Sequence, residues 1–227
     1  MLLSTGWFRY FISSAIVSSL LVGFAATPVA EARPSIHDST TAISALSTLK
    51  VRSWSSHNGY ARSAFSDGWG NLGSCDLRNY ILDRDLTNVT WRSGETCIVA
   101  SGTLKDPYTG KVIRFVRGVK TSLAVQIDHV VALSNAWVTG ASVLPAATRY
   151  KIYNDPLNLL AVDGPTNQSK SDSDAASWLP PNTAYRCAYV ARQIAVKTKW
   201  GVWVTAAEKA AMAQVLTACP NQILPHG

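Results

Sequence analysis

Four cysteines, Cys75, Cys97, Cys187 and Cys219, follow an apolar N-terminal leader, and together these features restrict the chain most. Arg9 gives the leader its short positive region, and Phe11 to Ala26 is apolar and uncharged. Ala30-Glu31-Ala32 then offers an A-x-A cleavage site before Arg33. Residues 1–32 therefore read as a signal peptide. An uncleaved membrane anchor is the alternative, but the run is short for a ~20-residue span. An even number of cysteines behind such a leader reads as two disulfides, with three possible connectivities. A zinc site of four thiolates is the rival, although no C-x-x-C spacing supports it.

Helical patterning narrows the pairing. Residues 184–199 and 206–218 both read as helices, and Thr205-Ala206-Ala207-Glu208 has the form of a capping box. Cys187 stands near the start of the first helix and Cys219 just past the end of the second. An antiparallel hairpin brings those ends together, which pairs Cys187–Cys219 and leaves Cys75–Cys97 as the remainder.

The rest reads as one α+β domain. Residues 33–53 form a weakly structured N-terminal segment, with at most a short helix around Ile43 to Leu49. Trp54 to Asn71 is rich in Ser, Gly and Asn and reads as loop with short elements. Arg78 to Leu86 suits a helix or a strand. Ile98 to Gly102 and Val112 to Val119 read as strands joined by the turn Asp106-Pro107-Tyr108-Thr109-Gly110. Leu123 to Ile127 and Leu157 to Val162 are further strand candidates.

Charge gives a direction but no identity. Lys plus Arg is 21 against 14 Asp plus Glu, a formal charge of +7. The leader holds one base, Arg9, and one acid, Glu31, so the charge belongs to the domain after it. A basic domain favours polyanions, nucleic acid or an acidic envelope polymer among them. Lys111, Arg114, Arg117 and Lys120 recur every third residue, but the intervening Val and Phe favour a strand that splits them between two faces. A solvated surface explains them as well as a polyanion contact does.

The chemistry-bearing stretch runs Gln126-Ile127-Asp128-His129-Val130-Val131-Ala132-Leu133, then Asn154-Asp155-Pro156-Leu157-Asn158, and closes with Thr166-Asn167-Gln168-Ser169-Lys170-Ser171-Asp172. An Asp-His pair at a strand end is usually structural when it stands alone. Here Asp128 and His129 end one strand, Asn158 opens another, and Asn167 and Lys170 begin a short helix after Gly164-Pro165. A strand–loop–strand–helix unit gathers them around one point. The set then holds an oxygen pair for a hard cation, an imidazole for a water and a lysine for phosphate charge.

On these residues the chain resembles the HNH, or ββα-metal, endonuclease superfamily. More closely, it resembles the secreted HNH endonuclease family proteins common in actinobacteria, which are related to the C-terminal nuclease of GmrSD-type restriction systems. Cys75-Asp76-Leu77-Arg78-Asn79, Asp106-Pro107-Tyr108-Thr109-Gly110, Asn135-Ala136-Trp137, Trp178-Leu179-Pro180-Pro181 and Arg186-Cys187-Ala188-Tyr189-Val190 extend the match over roughly 54–219. The resemblance implies a ββα-metal core with a loop-rich N-terminal extension and a C-terminal helical hairpin, the nuclease domain spanning 54–222.

The same resemblance implies roles. His129 is the general base, and Asp128 and Asn167 are the metal ligands, for Mg2+ first and Mn2+ second. Asn158 is the middle Asn that ties down the loop bearing the base. Lys170 contacts phosphate or orients its helix, and Arg78 and Tyr108 are substrate-binding or scaffold residues. Three positions depart from the family pattern: Ala132 where Pro is usual, Tyr80 where Glu is expected, and Ser171 where Gly is frequent. His37, His57 and His226 read as isolated surface residues, and Asp172 and Asp174 as helix-surface acids.

The expected function is a secreted, metal-dependent endonuclease acting on nucleic acid, DNA above RNA, through its phosphate backbone. A catalytically inactive HNH scaffold that binds nucleic acid or an anionic envelope polymer is the second reading. A disulfide-stapled structural domain is the third. Fold resemblance alone does not separate them.

Overall fold

The computed structural model describes residues 40–226; the leader, its cleavage point near Ala32 and His37 lie outside the described residues. At its centre two strands pair antiparallel, β6 (Val125–His129) and β7 (Leu159–Asp163), in a register that sets Gln126 opposite Val162 and Asp128 opposite Leu160. Their sequences differ because their surroundings do. Leu159-Leu160-Ala161-Val162 is a continuous apolar run, and all four residues are buried, as suits a strand covered on both faces. β6 instead alternates, with Gln126 and Asp128 on one face.

No tight turn joins the two strands. The connection carries α3 (Leu133–Val138) and α4 (Ala146–Tyr153), and β7 runs directly into α5 (Gly164–Lys170). Asp163 caps α5 by accepting from Thr166 N at 2.9 Å, and Pro165 sits in the first turn, where a missing N–H costs nothing. α5 packs on both β6 and β7, giving a strand–strand–helix unit.

Around this unit lie three apolar clusters. Leu77, Ile81 and Leu82 of α2 (Leu77–Asp85) pack with Val125, Ile127, Leu159 and Ala161 on one side. The ambiguous stretch 78–86 is thus a helix, because Asp76 caps it by accepting from Asn79 N at 2.9 Å. Asp76 and Cys75 form β2, which pairs with β1 (Asn71–Leu72). A three-stranded antiparallel sheet follows, β3 (Leu86–Trp91), β4 (Val99–Lys105) and β5 (Val112–Val116), in the order β3-β4-β5. Asp106 anchors the β4–β5 turn, one carboxylate oxygen accepting from Thr109 N at 2.8 Å and the other from Asp163 N at 3.0 Å.

On the other side α6 (Arg186–Trp200) and α7 (Ala206–Leu216) form the expected hairpin, packed on Val130, Leu160 and Val162. Both expected disulfides are present, Cys75–Cys97 and Cys187–Cys219, with Cα atoms 5.1 and 6.4 Å apart. In the chain-entropy picture each loop closure contributes roughly 3 kcal/mol.

The short helix expected around Ile43 to Leu49 is present. Within the segment 33–53, read as weakly structured, α1 (Ala42–Thr48) buries Ala42, Ala45 and Leu46 against α6 and α7. A seven-residue helix does not persist alone in water. Its partners, including the chain end through Ala42 N to Gln222 O at 2.7 Å, decide it.

Candidate active site

The site begins with a buried asparagine. Asn158 Oδ1 accepts from Val131 N at 2.8 Å and its Nδ2 donates to Val131 O at 3.1 Å, while its own carbonyl accepts from Val130 N at 2.8 Å. Three bonds from one residue hold the chain just after His129. Asn158 is fully buried and does not line the cavity described below.

His129 follows from that clamp. Its Nε2 lies 2.8 Å from Tyr153 O. A carbonyl only accepts, so Nε2 carries the proton and Nδ1 keeps its lone pair. Trp69 stacks on the ring at 5.8 Å with an interplanar angle of 8°, and Tyr153 lies at 4.8 Å. Burial, then the positive charge of Arg62, lowers the His129 pKa to about 3, against the opposing bond to Tyr153. The imidazole is therefore neutral at ordinary pH, and an anion entering beside it offsets the Arg62 and Lys170 charges and raises its basicity.

Asp128 is held from both sides. Tyr108 Oη donates to Oδ2 at 2.5 Å, and Lys170 Nζ donates to Oδ1 at 3.0 Å and to His129 O at 3.0 Å. Burial raises the Asp128 pKa, and the Lys170 charge opposes that rise. Burial also raises the Tyr108 pKa well above its usual value, so Tyr108 remains a donor.

Asn167 donates from Nδ2 to Gln126 Oε1 at 2.9 Å. Gln126 is two residues before Asp128 on the same strand face, so this bond draws Asn167 to the face of β6 that carries Asp128 and leaves its amide oxygen as the unused acceptor. Gln126, Asp128, His129 and Asn167 line one cavity of about 380 Å³. Each Asp128 oxygen accepts one hydrogen bond and has a second lone pair. A carboxylate and an amide oxygen facing one polar cavity suit a hard divalent cation that keeps most of its waters. Among the described residues no group of three or more His, Cys, Asp or Glu side chains is arranged to hold a metal.

Two expected site residues sit elsewhere. Tyr108 is fully buried among Trp178, Tyr185 and Tyr189. It reaches the site only through Asp128, which makes it scaffold and not a substrate contact. Arg78 lies outside the cavity, with Nη2 at 3.5 Å from Val125 O. Lys170, at 0% exposure, cannot meet a phosphate. Of its two expected roles, its position serves orientation of the helix.

Other cavity residues escaped the sequence reading. His57, Tyr60 and Arg62 line it from the loop-rich extension, and Asp172 from just past α5. His57 Nε2 meets Ser134 Oγ at 2.8 Å, and Ser134 Oγ donates to Asp172 Oδ2 at 3.2 Å. His57 and Asp172 are thus exposed residues of a site wall. A neighbouring cavity of about 310 Å³ shares this wall but holds neither Asp128 nor His129. The only available signal was the aromatic and basic run Tyr60-Ala61-Arg62 in a loop.

The departures from the family pattern have structural readings. Ser171 has φ 52° and ψ −127° at the end of α5, a conformation glycine adopts freely. Ala132 already has φ −56°, the value proline would impose. Tyr80 is exposed on α2 and takes no part in the cavity.

The strand–strand–helix unit thus brings an Asp-His pair and an Asn to the wall of one polar cavity. Comparison with known proteins gives the family. Residues 76–215 match the model described as GmrSD restriction endonucleases, C-terminal domain, and the chain belongs to that nuclease family. It is also 37% identical over 207 residues to an uncharacterised secreted protein of Arthroderma benhamiae, covering 90% of this chain and 97% of that protein. No solved structure matches.

Proposed function

We propose that the protein is a secreted endonuclease of the HNH, or ββα-metal, type that hydrolyses phosphodiester bonds in nucleic acid, DNA above RNA. The observation that carries this reading is His129, whose Nε2–H is committed to Tyr153 O in a cavity it shares with Asp128 and Asn167. Nδ1 accepts a proton from water, the water oxygen attacks phosphorus, and the P–O3′ bond breaks with O3′ taking a proton from solvent, leaving 5′-phosphate and 3′-hydroxyl ends. Asp128 and the Asn167 amide oxygen would hold a divalent cation, Mg2+ first and Mn2+ second. Bound there, it supplies positive charge for the phosphate and the departing oxygen. Asn158 keeps the base in place, while Lys170 and Tyr108 keep Asp128 oriented.

Secretion rests on the leader ending near Ala32, on the two disulfides and on the secreted relative. With a charge of +7, the domain binds backbone and loses affinity as salt rises.

The test is incubation of the oxidised protein with plasmid DNA and Mg2+ or Mn2+, beside His129→Ala. The expected result is metal-dependent nicking and linearisation that the variant lacks. Equal cleavage by His129→Ala overturns the proposal. Salt-dependent binding without any cleavage overturns it in favour of an inactive scaffold that binds polyanions.

A further inference from the structure

Besides the divalent cation, a side-chain cation would hold the phosphate in place, and Lys170 is not available for it. Its ammonium is fully buried and committed to Asp128 and His129 O. The cavity nevertheless has a guanidinium in its wall. Arg62 Nη2 donates to Tyr153 Oη at 3.1 Å, and its Cζ lies 5.0 Å from the centre of the Tyr153 ring. Tyr153 is the residue whose carbonyl orients His129, so the base and the guanidinium share one anchor.

Arg62 is exposed and, among the described residues, forms no ion pair with a carboxylate. Asp172, a carboxylate that lines the same cavity, accepts from Ser134 Oγ and forms no ion pair with Arg62. An unpaired guanidinium that spends one donor on a phenol keeps the rest for a ligand, and its planar fork matches two oxygens of a phosphate.

We infer that Arg62 binds the non-bridging oxygens of the scissile phosphate, so that the segment before residue 76 supplies a catalytic residue to the site. This inference rests on the phosphodiesterase reading. It goes beyond the family match, which begins at residue 76. His57 and Tyr60 in the cavity wall, and Trp69 behind His129, come from the same segment. A domain trimmed to 76–215 would therefore lack part of its own site.

Two measurements on the full mature protein test it, using Arg62→Gln and Arg62→Lys. First, inorganic phosphate is titrated while the Trp69 indole N–H resonance is followed by NMR. Wild type should show a saturable shift, Arg62→Gln should need at least tenfold more phosphate, and Arg62→Lys should fall between. Second, plasmid cleavage should drop about 10²–10³-fold in kcat/KM for Arg62→Gln, the range for removing one preorganised donor, with partial recovery in Arg62→Lys.

An unchanged phosphate response in Arg62→Gln overturns the inference, even if cleavage falls, because Arg62 would then act only through Tyr153. Cleavage by Arg62→Gln within twofold of wild type also overturns it. The phosphate titration needs no turnover. A wild type that binds phosphate through Arg62 but cleaves no nucleic acid refutes the nuclease reading and not the anion site.

Discussion

Among the described residues two lysines are wholly buried against a carboxylate, and they differ in what surrounds the pair. Lys197 Nζ meets Glu208 Oε2 at 3.1 Å, Asn135 Oδ1 at 2.9 Å and Trp203 O at 3.0 Å, with both charged side chains at 0% exposure. Lys170 Nζ meets Asp128 Oδ1 and His129 O, each at 3.0 Å, and Asp128 opens onto a cavity. The first pair is closed on every side and joins α6 to α7. The second leaves one carboxylate edge toward solvent, where a ligand can meet it. Burial and ion pairing alone therefore do not mark a functional site; an unfilled lone pair facing a cavity does.

The largest expected effect separates the pairs directly. Lys170→Met should lower stability by about 3–5 kcal/mol, the cost of stranding a buried charge, and should also reduce nuclease activity by about 10²-fold or more per folded molecule. Chemical denaturation beside plasmid cleavage checks both. Lys197→Met should cost a similar 3–5 kcal/mol yet leave activity per folded molecule within about twofold. The double variant Lys197→Met/Glu208→Leu should recover most of that loss, since apolar replacement of a buried pair is often neutral or better. If Lys197→Met abolished activity in folded protein, the contrast between scaffold pair and site pair would fail.

A smaller effect tests the strained end of α5. Ser171→Gly should raise stability by about 1 kcal/mol, because a non-glycine residue pays roughly 1–3 kcal/mol in such a conformation and glycine repays part of that as lost chain entropy. Thermal unfolding reads it as a Tm rise of a few degrees.

The smallest effect is one of slope. Burial raises the Glu208 pKa, with Lys197 opposing that rise and Asp174 adding to it. A carboxyl raised in the folded state contributes stability that is complete below its unfolded pKa and is lost as pH rises through the folded value. Between pH 6 and 4, Tm should therefore fall less steeply in wild type than in Glu208→Gln. Parallel slopes would refute a raised Glu208.

Much of the scaffold was legible because it rests on local chemistry. Thr205 was readable as a cap, and it accepts from Glu208 N at 3.1 Å. The Glu208 side chain, however, does not return to the cap as a capping box requires. It turns to Lys197, a partner eleven residues earlier that no local rule selects. The hairpin geometry, and with it both disulfide pairings, followed from helix lengths and cysteine positions. α1 was legible as a short helix, but its stability comes from α6 and α7 and not from its own propensity.

The candidate site shows the same division. The sequence by itself determined which chemical groups are present: the Asp128-His129 pair, Asn158, Asn167 and Lys170, in an order that identifies a nuclease family. It also determined the closed pairs of cysteines and the +7 charge that remains when the leader is set aside. Only the tertiary structure decided which of those groups face a ligand. Lys170 turned inward, Tyr108 became a buried donor to Asp128, Arg62 and His57 entered the cavity wall from a stretch without a motif, and Asp172 entered it from the end of the Thr166–Asp172 run. The reason is physical. Residue type and spacing fix what a side chain can donate or accept, but exposure depends on contacts between residues far apart in the chain, such as Arg62 with Tyr153, 91 positions away.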